Sequence, residues 1–325
     1  MKILQKQAGQ DFTVLNVTDL HARAATFTDE TDVTGCVMRY TMDELISRTR
    51  PDLITFGGDM TTDNDISVYR NFVSFMDSFG IPWAPVMGNH DNRCGVELFR
   101  NVLRLLKQSE NCLFEAGDPL LGCGNYTVGV NCGDAPASAL IFMDTHSYVS
   151  MNHRGNPDFS WGALWNSQKR WYRSQVEKLR EKGYSDSTLF VHIPIYGYEQ
   201  AVNHIFTGDT HESDNFYVDC PEEFVKDKAG YRFGVNYEVP ACPVRDDGVL
   251  DTIAELGHTK SVICGHNHIN SASLIYRDVC LTYSLKFGNV SHFRRQQNGG
   301  TVMRVTDHGI TLPEHVYVDV SHLLD

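Results

Sequence analysis

The chain has 325 residues, 42% of them apolar, and a formal net charge of −13. No apolar run approaches the ~20 residues of a membrane span, and no Lys/Arg-rich run is present to neutralise a nucleic-acid backbone, so a small substrate is expected rather than a polymer. The nine cysteines are scattered with no Cys-x-x-Cys pair, which argues against a zinc ribbon and for reduced thiols.

The length allows one large α/β domain or two smaller ones. Residues Met1 to Gln10 are polar and lack the apolar core of a signal peptide, so a cytoplasmic location is expected. Phe12 to Val17 reads as a buried strand ending at Asp19. The spacing predicts a helix over 32–49, a strand over 53–56 stopped by Gly57-Gly58, and a helix over 65–79. A strand over 83–87 runs into Gly88, and 96–106 is helical. Next come a strand over 139–143, a helix over 164–179, and a strand over 188–191 leading into His192. Residues 199–247 break the rhythm with Gly, Asp and aromatics, and are read as a cap or insertion within a single domain spanning 1–325. A helix over 248–256 and a strand over 262–264 lead into Gly265. Strands over 279–285, 301–305 and 311–318 finish the chain. Such alternation, with a strand-rich end, fits an α/β fold with helices on both sides of sheet layers.

Five segments carry the chemistry: Asp19-Leu20-His21, Gly58-Asp59, Gly88-Asn89-His90-Asp91, His192 and Gly265-His266-Asn267-His268. Each follows an apolar run, where open α/β sheets gather their ligands. Glycines beside Asp59, Asn89 and His266 permit tight turns and close backbone approach. Carboxylates, imidazoles and an amide together suit Mn, Fe or Zn, whereas an all-oxygen Ca or Mg cage would not use this many histidines. Ligands on so many strand ends imply a two-metal site for phosphate ester chemistry.

In this order the segments resemble those of the calcineurin-like metallophosphoesterases. The stretch from Ile81 to Asp91 and His192-Ile193-Pro194 are most similar to the purple-acid-phosphatase-like branch. The resemblance implies a four-layer αββα sandwich of two mixed β-sheets and two divalent or trivalent metal ions. It implies one ion held by Asp19, His21, Asp59 and His268, and another by Asp59, Asn89, His192 and His266. Where purple acid phosphatases carry an iron-binding tyrosine this chain has Thr62, and it has His21 where they lack a histidine, so no purple chromophore is expected. The implied reaction is hydrolysis of a small phosphomonoester by metal-activated hydroxide, with His90 as general acid. A phosphodiesterase for cyclic nucleotides or phospholipid headgroups uses the same core, and a metal-dependent scaffold without turnover is the rival of another class.

Further candidates surround this set. Asp91 or Asp63 is expected to orient His90. Arg93 is a candidate phosphate contact, and Glu238 a residue reaching the pocket from the cap. Asp144 and His146 end a strand; Asp144 is either a strand cap or the partner that fixes a ligand histidine's tautomer. Trp161, Trp165 and Trp171 are read as core packing, and the remaining histidines as ordinary polar residues.

Overall fold

The computed structural model describes residues 1–324 except 64, 94, 154–155, 207–210, 213–217 and 220–225. Side chains of 93, 149–153, 156–159, 211–212 and 218–219 are also outside the description. The first half runs β1 (Lys2–Lys6), β2 (Phe12–Val17), α1 (Ala24–Thr28), α2 (Val33–Thr49), β3 (Leu53–Phe56), α3 (Ile66–Asp77), β4 (Trp83–Pro85), α4 (Val96–Gln108), β5 (Tyr126–Cys132), β6 (Ala135–Phe142), β7 (Tyr148–His153) and β8 (Asn156–Trp161). The second runs α5 (Asn166–Glu181), β9 (Asp186–Phe190), α6 (Gly197–Phe206), β10 (His211–Glu212), β11 (Val218–Asp219), β12 (Tyr231–Phe233), α7 (Val249–Leu256), β13 (Thr259–Cys264), β14 (Ser273–Tyr276), β15 (Val279–Tyr283), β16 (Gly299–Thr306), β17 (Gly309–Ile310) and β18 (Glu314–Tyr317).

Two mixed sheets carry the fold. One has eight strands in the order β1-β5-β6-β9-β13-β15-β14-β12, and the other orders β17-β16-β2-β3-β4 with β18 also on β16. β2, β3 and β4 are parallel neighbours, as are β9 and β13. The side-chain period of two sorts residues between layers. In β6, β9 and β13, Leu140, Phe142, Phe190 and Ile263 face the core between the sheets. Their neighbours Ala139, Ile141, Leu189, Val191, Val262 and Cys264 pack with α5, α6 and α7. Phe142 stacks on Tyr126 at 4.6 Å and on Phe190 at 5.0 Å. On the second sheet, α2 contributes Val37, Met38, Met42 and Leu45, and Phe72 of α3 meets Phe56 and Trp83 edge-on. The result is the expected four-layer αββα sandwich.

Several elements differ from the sequence reading. The polar N-terminal stretch is β1, an edge strand paired parallel with β5. An edge strand exposes much of its surface and so lacks a continuous apolar run. Of the strand expected over 311–318 only β18 (Glu314–Tyr317) forms; β17 ends at Ile310, and residues 311–313, which include Pro313, are not strand. Of the stretch 199–247, much of the aromatic centre lies outside the described residues; α6 buries Ala201, Val202, Ile205 and Phe206 in the outer core, and β12 pairs with β14. Cys36, Cys112, Cys123, Cys132, Cys242, Cys264 and Cys280 are free thiols. No helix among the described residues is long and apolar enough to cross a membrane.

Candidate metal centre

Each of the five sequence segments leaves the C-terminal end of a strand. Asp19 and His21 follow β2, Asp59 follows β3, Asn89 and His90 follow β4, His192 follows β9, and His266 and His268 follow β13. Backbone bonds lace these exits together. Asp19 N–H donates to Gly58 O and His21 N–H to Asp59 O, both at 3.0 Å. Gly265 N–H donates to His192 O at 3.1 Å, and His266 N–H reaches across the sheets to Asp19 Oδ2 at 2.9 Å. Asp19, His21, Asp59 and His266 all have positive φ, between 53° and 71°. For residues with a Cβ this left-handed backbone is unfavourable, and such strain concentrates at functional sites. The cross-strand bonds just named hold it in place.

Two glycines make the approach possible. A Cβ on Gly88 would lie 2.1 Å from Asp59 Oδ1, and one on Gly265 would lie 2.4 Å from Asp19 Oδ2. Neither neighbour can retreat without leaving the centre. Gly88→Ala is therefore expected to cut metal content by about tenfold or more, an effect at least as large as losing a ligand's supporting contact. Metal analysis of the purified variant checks this, and unchanged metal content would show that the two turns separate freely.

The side chains converge as three overlapping groups: Asp19, His21 and His268; His21, Asp59 and His90; Asp59, His192 and His266. His192 Nδ1 donates to Gly57 O at 2.7 Å and His268 Nδ1 to His292 O at 3.1 Å, while His21 Nδ1 lies 3.2 Å from Thr62 Oγ1. These outer contacts turn the Nε2 atoms inward, the arrangement typical of ligand histidines. His192 Nε2 sits 3.0 Å from Asn89 Oδ1 and 3.3 Å from Asp59 Oδ2. His268 Nε2 sits 3.0 Å from His21 Nε2 and 3.3 Å from Asp19 Oδ1. With Nδ1 already donating, a neutral ring presents a lone pair at Nε2. Lone pairs then face lone pairs, and a proton or a cation must lie between them. Among the described residues, Asp19 Oδ1 and His266 Nε2 are buried without a hydrogen-bond partner, as atoms that ligate metal ions would be in the metal-free chain. The donor set fits two metal ions.

The electrostatics of the protein alone agree. Burial opposes ionisation of Asp19, but His192, His21 and His268 hold its carboxyl well below the usual range. Asp59 is lowered likewise against its burial, chiefly by His192. Burial would lower His192, yet the two carboxylates lift it to about 9, whereas burial pushes His266 down to about 3. Lys286 is buried beneath the centre and donates from Nζ to Asp19 O at 2.8 Å.

The cavity over the centre has a volume of about 450 Å³ and is lined by His21, Asp59, Asn89, His90, His266 and His268 among others. The His90 side chain is 35% exposed, with Nε2 4.0 Å from Asp59 Oδ2. Its backbone N–H donates to Asp59 Oδ1 at 2.8 Å. Glu238 lines the same cavity; it accepts from Ile269 N–H and pairs with His292 at 3.1 Å.

Other expectations need correction. Asp91 turns away from the cavity. The 3-10 turn at Asp91–Arg93 folds its carboxylate back onto Gly88 N–H and the Tyr69 hydroxyl. Burial and the charge of Asp59 push it up to about 7. Asp63 accepts from Ala24 N–H at the start of α1. Asp144 fixes no ligand tautomer; it accepts from Asn92 Nδ2, Cys123 N–H and His146 N–H. His146 contacts Gln168 and stacks on Trp165 at 4.0 Å, beside a different cavity. The side chain of Arg93 lies outside the described residues. Trp161 is not core: it lines the metal cavity, edge-on to His266 at 4.3 Å. Arg23, Trp161 and His292 are pocket residues that sequence reasoning missed. Only Arg23, two residues past His21, carried a positional hint.

Similarities to known proteins bear on the fold and the family. The chain is 28% identical over 312 residues to probable inactive purple acid phosphatase 28 of Arabidopsis thaliana, covering 85% of this chain and 70% of that one. Among solved structures, a dimetal phosphatase from Danio rerio aligns over 95% of this chain and 99% of its own at a TM-score of 0.55 and 12% identity. GAP50, described as the anchor in the inner membrane complex of Plasmodium, aligns over 94% of this chain and 84% of its own at 0.52 and 12% identity. Both structural likenesses speak to the fold alone. A family model described as calcineurin-like phosphoesterase matches residues 12–270, and the chain belongs to that family.

Proposed function

We propose that this protein is a dinuclear metal-dependent phosphohydrolase that cleaves a small phosphomonoester. What supports the reading is the donor set Asp19, His21, Asp59, Asn89, His192, His266 and His268, with the buried Asp19 Oδ1 and His266 Nε2 lacking a hydrogen-bond partner among the described residues. One ion would be held by Asp19, His21, Asp59 and His268, and the other by Asp59, Asn89, His192 and His266, with Asp59 shared. Mn, Fe or Zn suits these donors. Bound there, the pair supplies Lewis-acid charge and an acidified water for attack on phosphorus.

The chain's own residues do the rest. Asp59 holds the His90 backbone and so places the imidazole at the cavity's exposed side. From there His90 delivers a proton to the leaving oxygen. Arg23 lines the cavity and offers charged donors to the phosphate oxygens, while Trp161 and Val290 supply apolar wall. The volume of about 450 Å³ suits a phosphate with a small substituent.

The Arabidopsis relative's name includes "probable inactive", and that description is its own. Here each donor and the general-acid candidate are present. The test is Mn-loaded protein assayed on p-nitrophenyl phosphate and bis-p-nitrophenyl phosphate. Faster monoester turnover is expected. Faster diester turnover would replace the proposal with a phosphodiesterase. No turnover of either with both metals bound would point to a non-catalytic metal-dependent scaffold.

A further inference from the structure

Residues 237–241 lie along the loop that carries His266 and His268, and side-chain bonds sew the two segments together. Asn270 Oδ1 accepts from Tyr237 N–H at 2.8 Å and from Glu238 N–H at 2.9 Å, and its Nδ2 donates to Glu238 O at 2.9 Å. Asn267 Oδ1 accepts from Ala241 N–H and its Nδ2 donates to Val239 O, both at 3.1 Å. Both asparagines are buried, so these bonds satisfy backbone groups of a loop that has no strand partner to do so.

Glu238 is the member of this strap that reaches the metal centre. Its side chain is 14% exposed and both of its oxygens are used. Oε1 accepts at 3.0 Å from the N–H of Ile269, the residue after His268. Oε2 lies 3.1 Å from His292 Nε2, and an ionised carboxylate only accepts, so the imidazole donates. His292 in turn meets His268 twice. Its carbonyl accepts from His268 Nδ1 at 3.1 Å, and its ring stacks on that of His268 with centroids 4.3 Å apart and planes inclined by 23°. One carboxylate therefore holds the backbone just past His268 and also the residue that fixes the tautomer and plane of that imidazole. His268 groups with Asp19 and His21. The histidines of the other group are fixed by different contacts: His192 Nδ1 donates to Gly57 O, and His266 meets Trp161 edge-on.

We propose that Glu238 is a positioning residue for one ion of the pair, the ion held by Asp19, His21, Asp59 and His268, and that it acts through His292. The proposal rests on the two-ion assignment of the phosphohydrolase reading and not on turnover. Removing the outer partner of a ligand histidine weakens metal binding by about 10- to 100-fold. That loss should fall on this ion and leave the other in place.

The test is a Mn titration of the chelator-stripped full chain, read by calorimetry for affinity and by electron paramagnetic resonance for coupling between the ions. In Glu238→Ala one Mn should bind about tenfold or more weaker, and the other as in the parent. At Mn concentrations that just saturate the parent, the variant should give the spectrum of an isolated ion in place of a coupled pair. Glu238→Gln keeps an acceptor for Ile269 but loses the charge toward His292, and should fall between the two. His292→Ala should weaken the same ion, and adding Glu238→Ala to it should cost less than Glu238→Ala costs alone. Equal weakening of both ions in Glu238→Ala, or none, overturns the proposal while the two-ion reading stands. A parent chain that binds fewer than two ions fails that reading, and the proposal with it. If Glu238→Ala does not fold, the same split between the ions in Glu238→Gln decides.

Discussion

Replacing Asp59 with asparagine is expected to remove bound metal and activity together, with kcat/KM falling by about 10³-fold or more, roughly 4 kcal/mol of transition-state stabilisation. The carboxylate lies between the two candidate groups. Its Oδ2 is 3.5 Å from His21 Nε2 and 3.3 Å from His192 Nε2, and its Oδ1 accepts from the His90 backbone. An amide of the same shape keeps one oxygen but loses the charge that holds both sides. Elemental analysis beside a kinetic assay checks the result. A variant retaining both metals and near-normal turnover would mean that Asp59 is not shared.

His90→Ala is expected to behave differently. Its rate should fall about 10²- to 10⁴-fold while metal content is kept, because a proton donor is lost rather than a ligand. The deficit should depend on the leaving group. An alkoxide needs protonation more than p-nitrophenolate does, so alkyl phosphates should lie at the upper end of that range and p-nitrophenyl phosphate at the lower. His90 also falls within one metal-capable group, with His21 and Asp59. Loss of metal from this variant would assign it as a ligand and leave the leaving oxygen without its proposed proton source.

Much of this arrangement could be read from the chain before its structure, for a physical reason. In β2, β3, β4, β9 and β13 nearly every residue is buried, and the ends of β3, β4 and β13 are marked by Gly57, Gly88 and Gly265. Ligands placed just past such strands carry their position in the local sequence. Residues outside that pattern do not. Trp161 reaches the cavity from the β7–β8 hairpin and His292 from a loop after β15. Neither has a spacing signal, because only tertiary packing brings them there. Adjacency also misled: Asp91 follows His90 directly, yet the 3-10 turn sends the two side chains apart. Asp144 sits at a strand end like a ligand, but its carboxylate is consumed by Asn92 and by the Cys123 and His146 backbones. The N-terminal strand β1 went unread because its edge position leaves Lys2, Ile3 and Gln5 exposed.

The most direct test of the dinuclear phosphohydrolase account is a Mn titration of chelator-stripped protein, followed by p-nitrophenyl phosphate hydrolysis. The account predicts negligible turnover in the stripped protein and activity that rises to saturation at two ions per chain. Failure to bind Mn, or turnover that survives stripping unchanged, would contradict it.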